Sequence, residues 1–237
     1  MVRAWARFAV VVGAALLLAA CGSGDKGNTG AAASGAGGIS AGAPVAGPER
    51  RVLALGDSLF AGYGLASGQA YPVRLEAALR AKGLNARVSN AGVSGDTTAD
   101  GLARLQFTLS SQQRPPDLVL VCLGGNDMLR GLPVAQTRAN LDSILTALEQ
   151  RHLRVVLMGM LAPPNMGPEY AHAFDAIYPQ LAKRHHAVLV PFFLQAVIGR
   201  DDLRLADHLH PTPAGVDAIV AATDGAVVSA LGAGAGR

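Results

Sequence analysis

Three residues carry the groups of a nucleophilic acyl-transfer site. They are Ser58, and the pair Asp207 and His210, which stand three residues apart near the end of the chain. A serine hydroxyl is a weak nucleophile until a base takes its proton, and the base must be held in one tautomer by an acceptor on its other nitrogen. We predict that Ser58, His210 and Asp207 fill the roles of nucleophile, base and acceptor.

Such a reaction also needs hydrogen-bond donors for the negative oxygen that develops on the substrate carbonyl. The candidate donors are the backbone N–H of Ser58, the backbone N–H of Gly95 and the side-chain amide of Asn126. A glycine at position 95 also lets the backbone approach a ligand closely, because it has no side chain. These three residues are the predicted oxyanion hole.

The histidines around position 210 allow a second interpretation, as a metal site. His208 and His210 are two residues apart and Asp207 precedes them, but this set lacks the ligand count of a closed zinc centre. We therefore predict no metal ligands. The remaining histidines are predicted to be solvated surface residues: His152, His172, His185 and His186.

The elements that must position these residues follow from the hydrophobic pattern. Short apolar runs rich in Val and Leu alternate with amphipathic stretches, and the runs predict strands at residues 51–55, 86–90, 118–123, 154–160 and 187–191. Near-continuous apolar strands are typical of a sheet covered on both faces. Helical segments between strands imply right-handed crossovers. The sequence predicts a doubly wound parallel α/β domain.

In such a sheet, ligands bind outside the carboxyl ends of the strands. The polar, glycine-rich segments 56–59, 92–96 and 124–127 follow the first three predicted strands, and segment 207–211 precedes the last predicted helix. The candidate catalytic residues lie in these segments. We therefore expect them to converge on one rim of the sheet.

These segments resemble the sequence blocks of the SGNH hydrolases. Residues 56–59 read Gly-Asp-Ser-Leu, and residues 124–127 read Gly-Gly-Asn-Asp. Gly95 lies between these two blocks and residues 207–210 follow them, which is the order of the blocks in the family. Residues 90–105, 123–131 and 174–183 are also similar to the bacterial periplasmic thioesterase/lysophospholipase/arylesterase subgroup. The similarity covers residues 51–225.

The resemblance implies a flavodoxin-like three-layer α/β/α sandwich with a five-stranded parallel sheet. It implies hydrolysis of carboxylic esters and thioesters through an acyl-serine, with no metal or nucleotide cofactor. By position, Ser58, Asp207 and His210 are catalytic, and Ser58, Gly95 and Asn126 bind the oxyanion. The expected partner is a small acyl ester or thioester and not a nucleic acid, and a monomer is the default oligomeric state.

The sequence departs from that subgroup in two places. Cys122 stands where a Glu is usual, and we expect it to be a small buried hydrophobic residue. Leu161 and Met166 stand where an Arg and a Tyr are typical. We expect Leu161, Ala162 and Met166 to form a substrate-binding loop, in which the loss of a cation alters the accepted leaving groups.

Two other functions are compatible with this scaffold. One is a carbohydrate or cell-wall O-deacetylase on the same scaffold, for which polar and aromatic residues are expected around the pocket. The other is a non-catalytic acyl-binding lipoprotein, for which replacement of Ser58 or His210 is expected, and neither is replaced.

The first 48 residues differ in composition from the rest. Arg3 and Arg7 precede an apolar run at 8–20, which is too short for a spanning helix and typical of a secretory signal peptide, assigned to residues 1–20. Residues 18–21, Leu-Ala-Ala-Cys, resemble the lipobox of bacterial lipoproteins, which implies lipid attachment at Cys21.

Residues 21–48 comprise this cysteine and a segment rich in Gly, Ala and Ser, which is expected to be a flexible tether. The hydrolase domain is expected at 49–237. The protein is therefore expected to be exported to the periplasm and anchored to a membrane.

Composition supports one ordinary domain plus these appendages. The chain has 237 residues, of which 50% are hydrophobic, and this fraction excludes a disordered chain. It has 2 Cys, which are too few for a disulfide framework. The net charge is +3, but removal of Arg3 and Arg7 with the signal takes away two of these positive charges. The mature chain therefore keeps a net charge of only +1, which does not indicate a nucleic-acid partner.

Overall fold

The computed structural model describes residues 45–232, in which a parallel sheet is covered by helices. The strands are β1 Arg50–Gly56, β2 Ala86–Gly92, β3 Leu118–Cys122, β4 Arg154–Met158 and β5 Val188–Val190. The helices are α1 Ser58–Ala61, α2 Tyr71–Ala81, α3 Thr98–Ser110, α4 Gly125–Leu129, α5 Val134–Glu149, α6 Pro168–Asp175, α7 Ile177–Arg184 and α8 Pro213–Gly232. Short 3₁₀ helices span Ser67–Gln69, Pro164–Met166 and Asp201–Leu203.

The predicted signal peptide, Cys21 and most of the predicted tether lie outside the described residues. The described part begins with the last residues of that tether. There the carbonyl oxygen of Gly47 accepts a 3.0 Å hydrogen bond from the Asn85 side chain.

The strand order is β2-β1-β3-β4-β5, and every neighbouring pair is parallel. All five predicted strands are present, although β4 and β5 end earlier than predicted, at Met158 and Val190. Gly56 at the end of β1 pairs with Gly92 at the end of β2 and with Cys122 at the end of β3. The loops that follow these three strands therefore start side by side.

Helices pack on the sheet in two groups. Helices α2 and α8 pack on each other, and α3, α5 and α7 form the second group. Every residue of β3 is buried, which requires cover on both faces of the sheet, so the two groups lie on opposite faces. This is the predicted doubly wound arrangement.

Helix α8, with 20 residues, is long and apolar enough to cross a membrane. In the structure it is a core helix instead, because Val216, Ile219, Val220 and Val227 are buried. It contacts α2, β4 and β5.

The predicted surface position of His185 is wrong. Its side chain is only 6% exposed, because both ring nitrogens bind carboxylates of helix α5. Nδ1 lies 2.9 Å from Glu149 Oε2, and Nε2 lies 2.8 Å from Asp142 Oδ1. His185 therefore holds the end of α7 against α5.

Cys122 is fully buried, as its apolar strand predicts. Burial, together with the nearby Asp57 carboxyl, raises the pKa of its thiol well above the usual value. The thiol therefore stays protonated at neutral pH.

Candidate active site

Ser58 is placed by a tight turn at the carboxyl end of β1. Asp57 caps helix α1, and its Oδ1 accepts a 3.0 Å hydrogen bond from the Leu59 N–H. A Cβ at Gly56 would lie 2.9 Å from the Cys122 carbonyl oxygen and 2.7 Å from the Phe60 ring. The absence of a side chain at Gly56 lets α1 pack directly on the strand ends, with Ser58 as its first residue.

His210 joins Ser58 to Asp207. Its Nε2 lies 2.8 Å from Ser58 Oγ, and its Nδ1 lies 2.7 Å from Asp207 Oδ2. A carboxylate only accepts hydrogen bonds, so Nδ1 carries the proton and the neutral imidazole keeps Nε2 free to accept from the serine. The structure thus brings together all three residues predicted as the triad.

The Asp207 carboxylate is held by the turn that leads to His210. Burial opposes its ionisation, but hydrogen bonds from the His210 backbone N–H, the His210 imidazole and the Leu209 N–H outweigh burial and lower its pKa to about 2. Asp207 is therefore ionised at neutral pH. His208 faces elsewhere, since its Nδ1 lies 3.4 Å from Asp201 Oδ1.

The loops after β2 and β3 carry the predicted oxyanion donors. Gly95 has a left-handed φ of 88°, which a glycine adopts without strain. The Asn126 Nδ2 donates a 2.9 Å hydrogen bond to the Asp96 carbonyl oxygen, and Arg130 Nη2 donates a 2.7 Å bond to the Gly95 carbonyl oxygen. These two bonds hold Gly95 beside Asn126.

The three donors are available for a ligand. Within residues 45–232, neither the Ser58 N–H nor the Gly95 N–H donates to a backbone or side-chain acceptor. The second hydrogen of Asn126 Nδ2 has only a 3.4 Å contact with Asp57 Oδ2, which is at the weak end of hydrogen-bond distances. A substrate oxyanion would be a better acceptor for it.

Asp127 anchors the loop that carries Asn126. Its buried carboxylate accepts hydrogen bonds from the Thr98 N–H at 2.8 Å, the Thr98 hydroxyl at 2.5 Å and the Thr137 hydroxyl at 3.2 Å. Thr98 begins α3 and Thr137 lies in the first turn of α5. Asp127 thus ties the loop after β3 to two helices.

Arg104 is a site residue that the sequence does not predict. Its Nε donates to Asp96 Oδ2 at 2.6 Å and its Nη2 donates to the Gly56 carbonyl oxygen at 2.9 Å. One side chain of α3 therefore connects the loop before Ser58 with the loop that carries Gly95. On the sequence, an arginine in an amphipathic helix carries no signal of this role.

Asp57 is buried behind the nucleophile. Burial raises the pKa of its carboxyl to about 7, against hydrogen bonds from backbone N–H groups that lower it, and the nearby Asp96 and Asp127 raise it further. Near neutral pH a large fraction of Asp57 is therefore protonated and uncharged.

A cavity of about 440 Å³ opens over Ser58, Gly95, Asn126 and His210. Its walls are largely apolar: Leu59, Met128, Leu129, Met160, Leu161, Pro163, Phe192, Leu194, Ile198 and Leu209. No Lys or Arg is among the described residues that line it.

The predicted substrate-binding loop contributes only in part. Leu161 lines the cavity, whereas Ala162 and Met166 are not among its lining residues. The Ala162 N–H instead donates a 2.8 Å hydrogen bond to Asp175 Oδ1, at the end of α6.

The segment after β5 supplies three lining residues that were not predicted, namely Phe192, Leu194 and Ile198. The rule that ligands bind at the carboxyl ends of parallel strands, applied also to the fifth strand, would have indicated this segment.

Comparison with known proteins places the chain in one family. Residues 54–218 match the GDSL-like Lipase/Acylhydrolase family. The chain is 42% identical over 163 residues to the arylesterase of Vibrio mimicus. This match covers 69% of this chain and 80% of that protein. It is 42% identical over 160 residues to the thioesterase 1/protease 1/lysophospholipase L1 of Escherichia coli strain K12. This match covers 68% of this chain and 74% of that protein.

A solved structure shows the same relationship. The crystal structure of AlinE4, an SGNH-hydrolase family esterase, is 57% identical in sequence, with a TM-score of 0.67, over 78% of this chain and 98% of that one. This likeness confirms the predicted three-layer α/β/α fold, and the relatives confirm the predicted serine esterase class. The chain belongs to the GDSL-like lipase/acylhydrolase family, the SGNH hydrolases.

Proposed function

We propose that this protein hydrolyses carboxylic ester and thioester bonds of apolar acyl substrates, with Ser58, His210 and Asp207 as its catalytic residues. The observation that carries the proposal is the hydrogen-bond chain from Asp207 through His210 to Ser58, at 2.7 and 2.8 Å. This chain lies against an apolar cavity of about 440 Å³.

In the first step, His210 Nε2 takes the proton of Ser58 as Oγ bonds to the substrate carbonyl carbon. The imidazolium that forms is stabilised by the ionised carboxylate of Asp207, 2.7 Å from Nδ1. Because the carboxylate accepts a hydrogen bond from Nδ1–H in the ground state too, the imidazole does not need to change its tautomer.

The substrate carbonyl oxygen becomes negative in this step. It accepts hydrogen bonds from the backbone N–H groups of Ser58 and Gly95 and from the side-chain amide of Asn126. Collapse of the tetrahedral intermediate breaks the ester or thioester bond, and His210 returns its proton to the leaving alcohol or thiol. A water molecule then attacks the acyl-serine with His210 again as base, which releases the acid and restores Ser58.

The cavity walls favour an acyl group over a carbohydrate. A polyhydroxylated sugar in this cavity would face apolar side chains such as Met160, Leu161 and Phe192, and hydroxyls buried without partners are costly. The intact Ser58–His210 hydrogen bond likewise favours catalysis over mere acyl binding.

The direct test is hydrolysis of p-nitrophenyl butyrate by the Ser58→Ala variant. We expect turnover to be lost, because Ser58 is the hydroxyl that His210 Nε2 binds and activates. Ser110→Ala is the matched control, since Ser110 is an exposed serine at the end of α3, and it should keep full turnover. Wild-type turnover in Ser58→Ala would contradict the assignment.

A substrate series would identify the preferred acyl group and leaving group. Aryl esters, acyl-CoA thioesters and lysophospholipids of graded chain length should all be cleaved in a Ser58-dependent manner. We expect kcat/KM to rise with chain length until the cavity is filled, because each added methylene buries further apolar surface. The same series with an acetylated sugar tests the O-deacetylase alternative.

We further propose that the protein is exported and anchored through a lipid on Cys21, with residues 22–48 as tether and 49–237 as the hydrolase domain. The support is the sequence of residues 1–48, with its basic start, apolar run and Leu-Ala-Ala-Cys segment. Labelling with a radioactive lipid precursor should mark the wild-type chain and leave Cys21→Ser unlabelled. Equal labelling of both would exclude Cys21 as the attachment site.

A further inference from the structure

The ring of Tyr63 lies against the imidazole of His210. The two ring centroids are 4.4 Å apart, and the ring planes are inclined by 35°. Within residues 45–232, no other aromatic ring pairs with His210. Tyr63 is 53% exposed, so burial in the core does not account for its position.

The backbone of Tyr63 is tied to the nucleophile. Its N–H donates a 3.2 Å hydrogen bond to the carbonyl oxygen of Ser58. Gly62 and Gly64 on either side have left-handed φ values of 84° and 72°, which allow the chain to reverse after α1. One residue thus contacts Ser58 through its backbone and His210 through its ring.

The imidazole needs a contact of this kind. Asp207 and Ser58 hold its two nitrogens. The N–H bond and the lone pair of an imidazole lie in the ring plane, so these two hydrogen bonds do not restrain the ring from tilting about the axis that joins them. Asp207 is the charged group that faces the imidazole, and it is itself 37% exposed. The Tyr63 ring, inclined by 35° against the imidazole, restrains this tilt.

We propose that Tyr63 is a positioning residue for His210, and that its ring also stabilises the imidazolium formed in each half of the reaction. The negative face of an aromatic ring attracts a cation, with an effect at exposed sites equivalent to roughly 2- to 5-fold in rate. The inference rests on the proposed function, because it takes His210 as the base. The Tyr63 hydroxyl has no part in it.

The test compares three variants through the pH profile of p-nitrophenyl butyrate hydrolysis. Tyr63→Leu keeps apolar bulk and loses the aromatic face, whereas Tyr63→Phe keeps the face and loses the hydroxyl. Phe107→Leu is the control, because it also replaces an aromatic ring by leucine, at a residue of α3 that is 76% exposed. In Tyr63→Leu we expect kcat on the plateau to fall roughly 2- to 5-fold. We also expect the acid limb of kcat to move to lower pH by roughly 0.3 to 0.7 units, since a less stable imidazolium loses its proton earlier.

Tyr63→Phe and Phe107→Leu should keep the wild-type kcat and acid limb. A thermal unfolding curve for each variant shows whether the domain is intact, and Tyr63→Met repeats the test with a second flexible side chain should the leucine variant unfold. A structural defect would lower the amount of active enzyme without moving the acid limb.

The inference is overturned if Tyr63→Leu and Tyr63→Met keep the wild-type kcat and acid limb, or if they change only KM, which would make Tyr63 a substrate contact alone. It is also overturned if Tyr63→Phe is as impaired as Tyr63→Leu, because the hydroxyl would then be responsible. These results leave Ser58-dependent hydrolysis, and so the proposed function, in place. Full activity of Ser58→Ala would overturn both.

Discussion

Arg104 and Asp96 form an ion pair with an Nε–Oδ2 distance of 2.6 Å, and the pair joins helix α3 to the loop that carries Gly95. The Arg104 Nη2 continues to the carbonyl oxygen of Gly56, 2.9 Å away. The nucleophile and an oxyanion donor lie on separate loops, so their relative position depends on this guanidinium.

We predict that Arg104→Ala lowers kcat for p-nitrophenyl butyrate by roughly 10- to 100-fold, because small displacements of catalytic groups are costly. The change also leaves the mostly buried Asp96 carboxylate without its partner, which should lower the free energy of unfolding by about 1 to 3 kcal/mol. Steady-state kinetics and urea unfolding measure the two effects. Arg87→Ala, at an exposed arginine of β2, is the control, and equal kinetics in the two variants would contradict the prediction.

Asn126→Ala should lower kcat by roughly 100- to 1000-fold, which is the usual effect of losing one oxyanion donor. KM should change little, since the lost bond is strongest in the transition state. The variant also loses the 2.9 Å bond to the Asp96 carbonyl oxygen, so its thermal unfolding should be measured beside the kinetics. An unchanged kcat would remove Asn126 from the mechanism.

The fold could be predicted because it depends on local sequence, and the triad could be predicted because Ser58, Asp207 and His210 stand in segments that resemble the blocks of the SGNH hydrolases. Near-continuous Val and Leu runs mark strands buried on both faces, and Ser58, Gly95 and Asn126 each follow such a run. The residues that escaped prediction act through tertiary contacts. Arg104 binds a carbonyl oxygen 48 positions away in the chain, at Gly56, and His185 meets two carboxylates of α5.

Tyr63 illustrates the same limit. On the sequence it lies between two glycines in a loop, and neither its residue type nor its spacing relates it to a histidine near the other end of the chain. Its contact with His210 exists only once β1 and the segment before α8 have been brought to the same rim. Periodicity predicts which elements form, but it does not specify which side chains meet between distant loops.

Asp57 should make the stability of the domain depend on pH. Its pKa is raised from 3.8 to about 7 in the folded protein, chiefly by burial, so between these values the folded state binds a proton that the unfolded chain has released. The contribution of Asp57 to stability therefore falls as pH rises from about 4 to 7, by up to about 1.4 kcal/mol per pH unit, and is constant above pH 7.

Asp57→Asn cannot ionise, and its amide oxygen can still accept from the Leu59 N–H. We expect its free energy of unfolding, measured in urea, to exceed that of the wild type by an amount that grows between pH 4 and pH 7. The comparison with wild type cancels the titration of all other groups. Parallel curves across this range would show that Asp57 stays ionised in the fold.

Leu161 offers a test of how the cavity selects leaving groups. It lines the cavity and is 41% exposed, and no Lys or Arg is among the described lining residues. In Leu161→Arg we expect kcat/KM for an acyl-CoA to rise by roughly 2- to 5-fold relative to the p-nitrophenyl ester of the same acid, because an exposed ion pair with an anionic leaving group is weak. The gain should disappear at high salt, where exposed charges are screened.

Leu161→Gln separates charge from shape in this test, since glutamine is polar and long but uncharged. If charge decides the preference, Leu161→Gln keeps the wild-type ratio of the two substrates at every salt concentration. A ratio that rises equally in the Gln and Arg variants would mean that the apolar leucine itself excludes the large leaving group, and that the missing cation has no part in the choice.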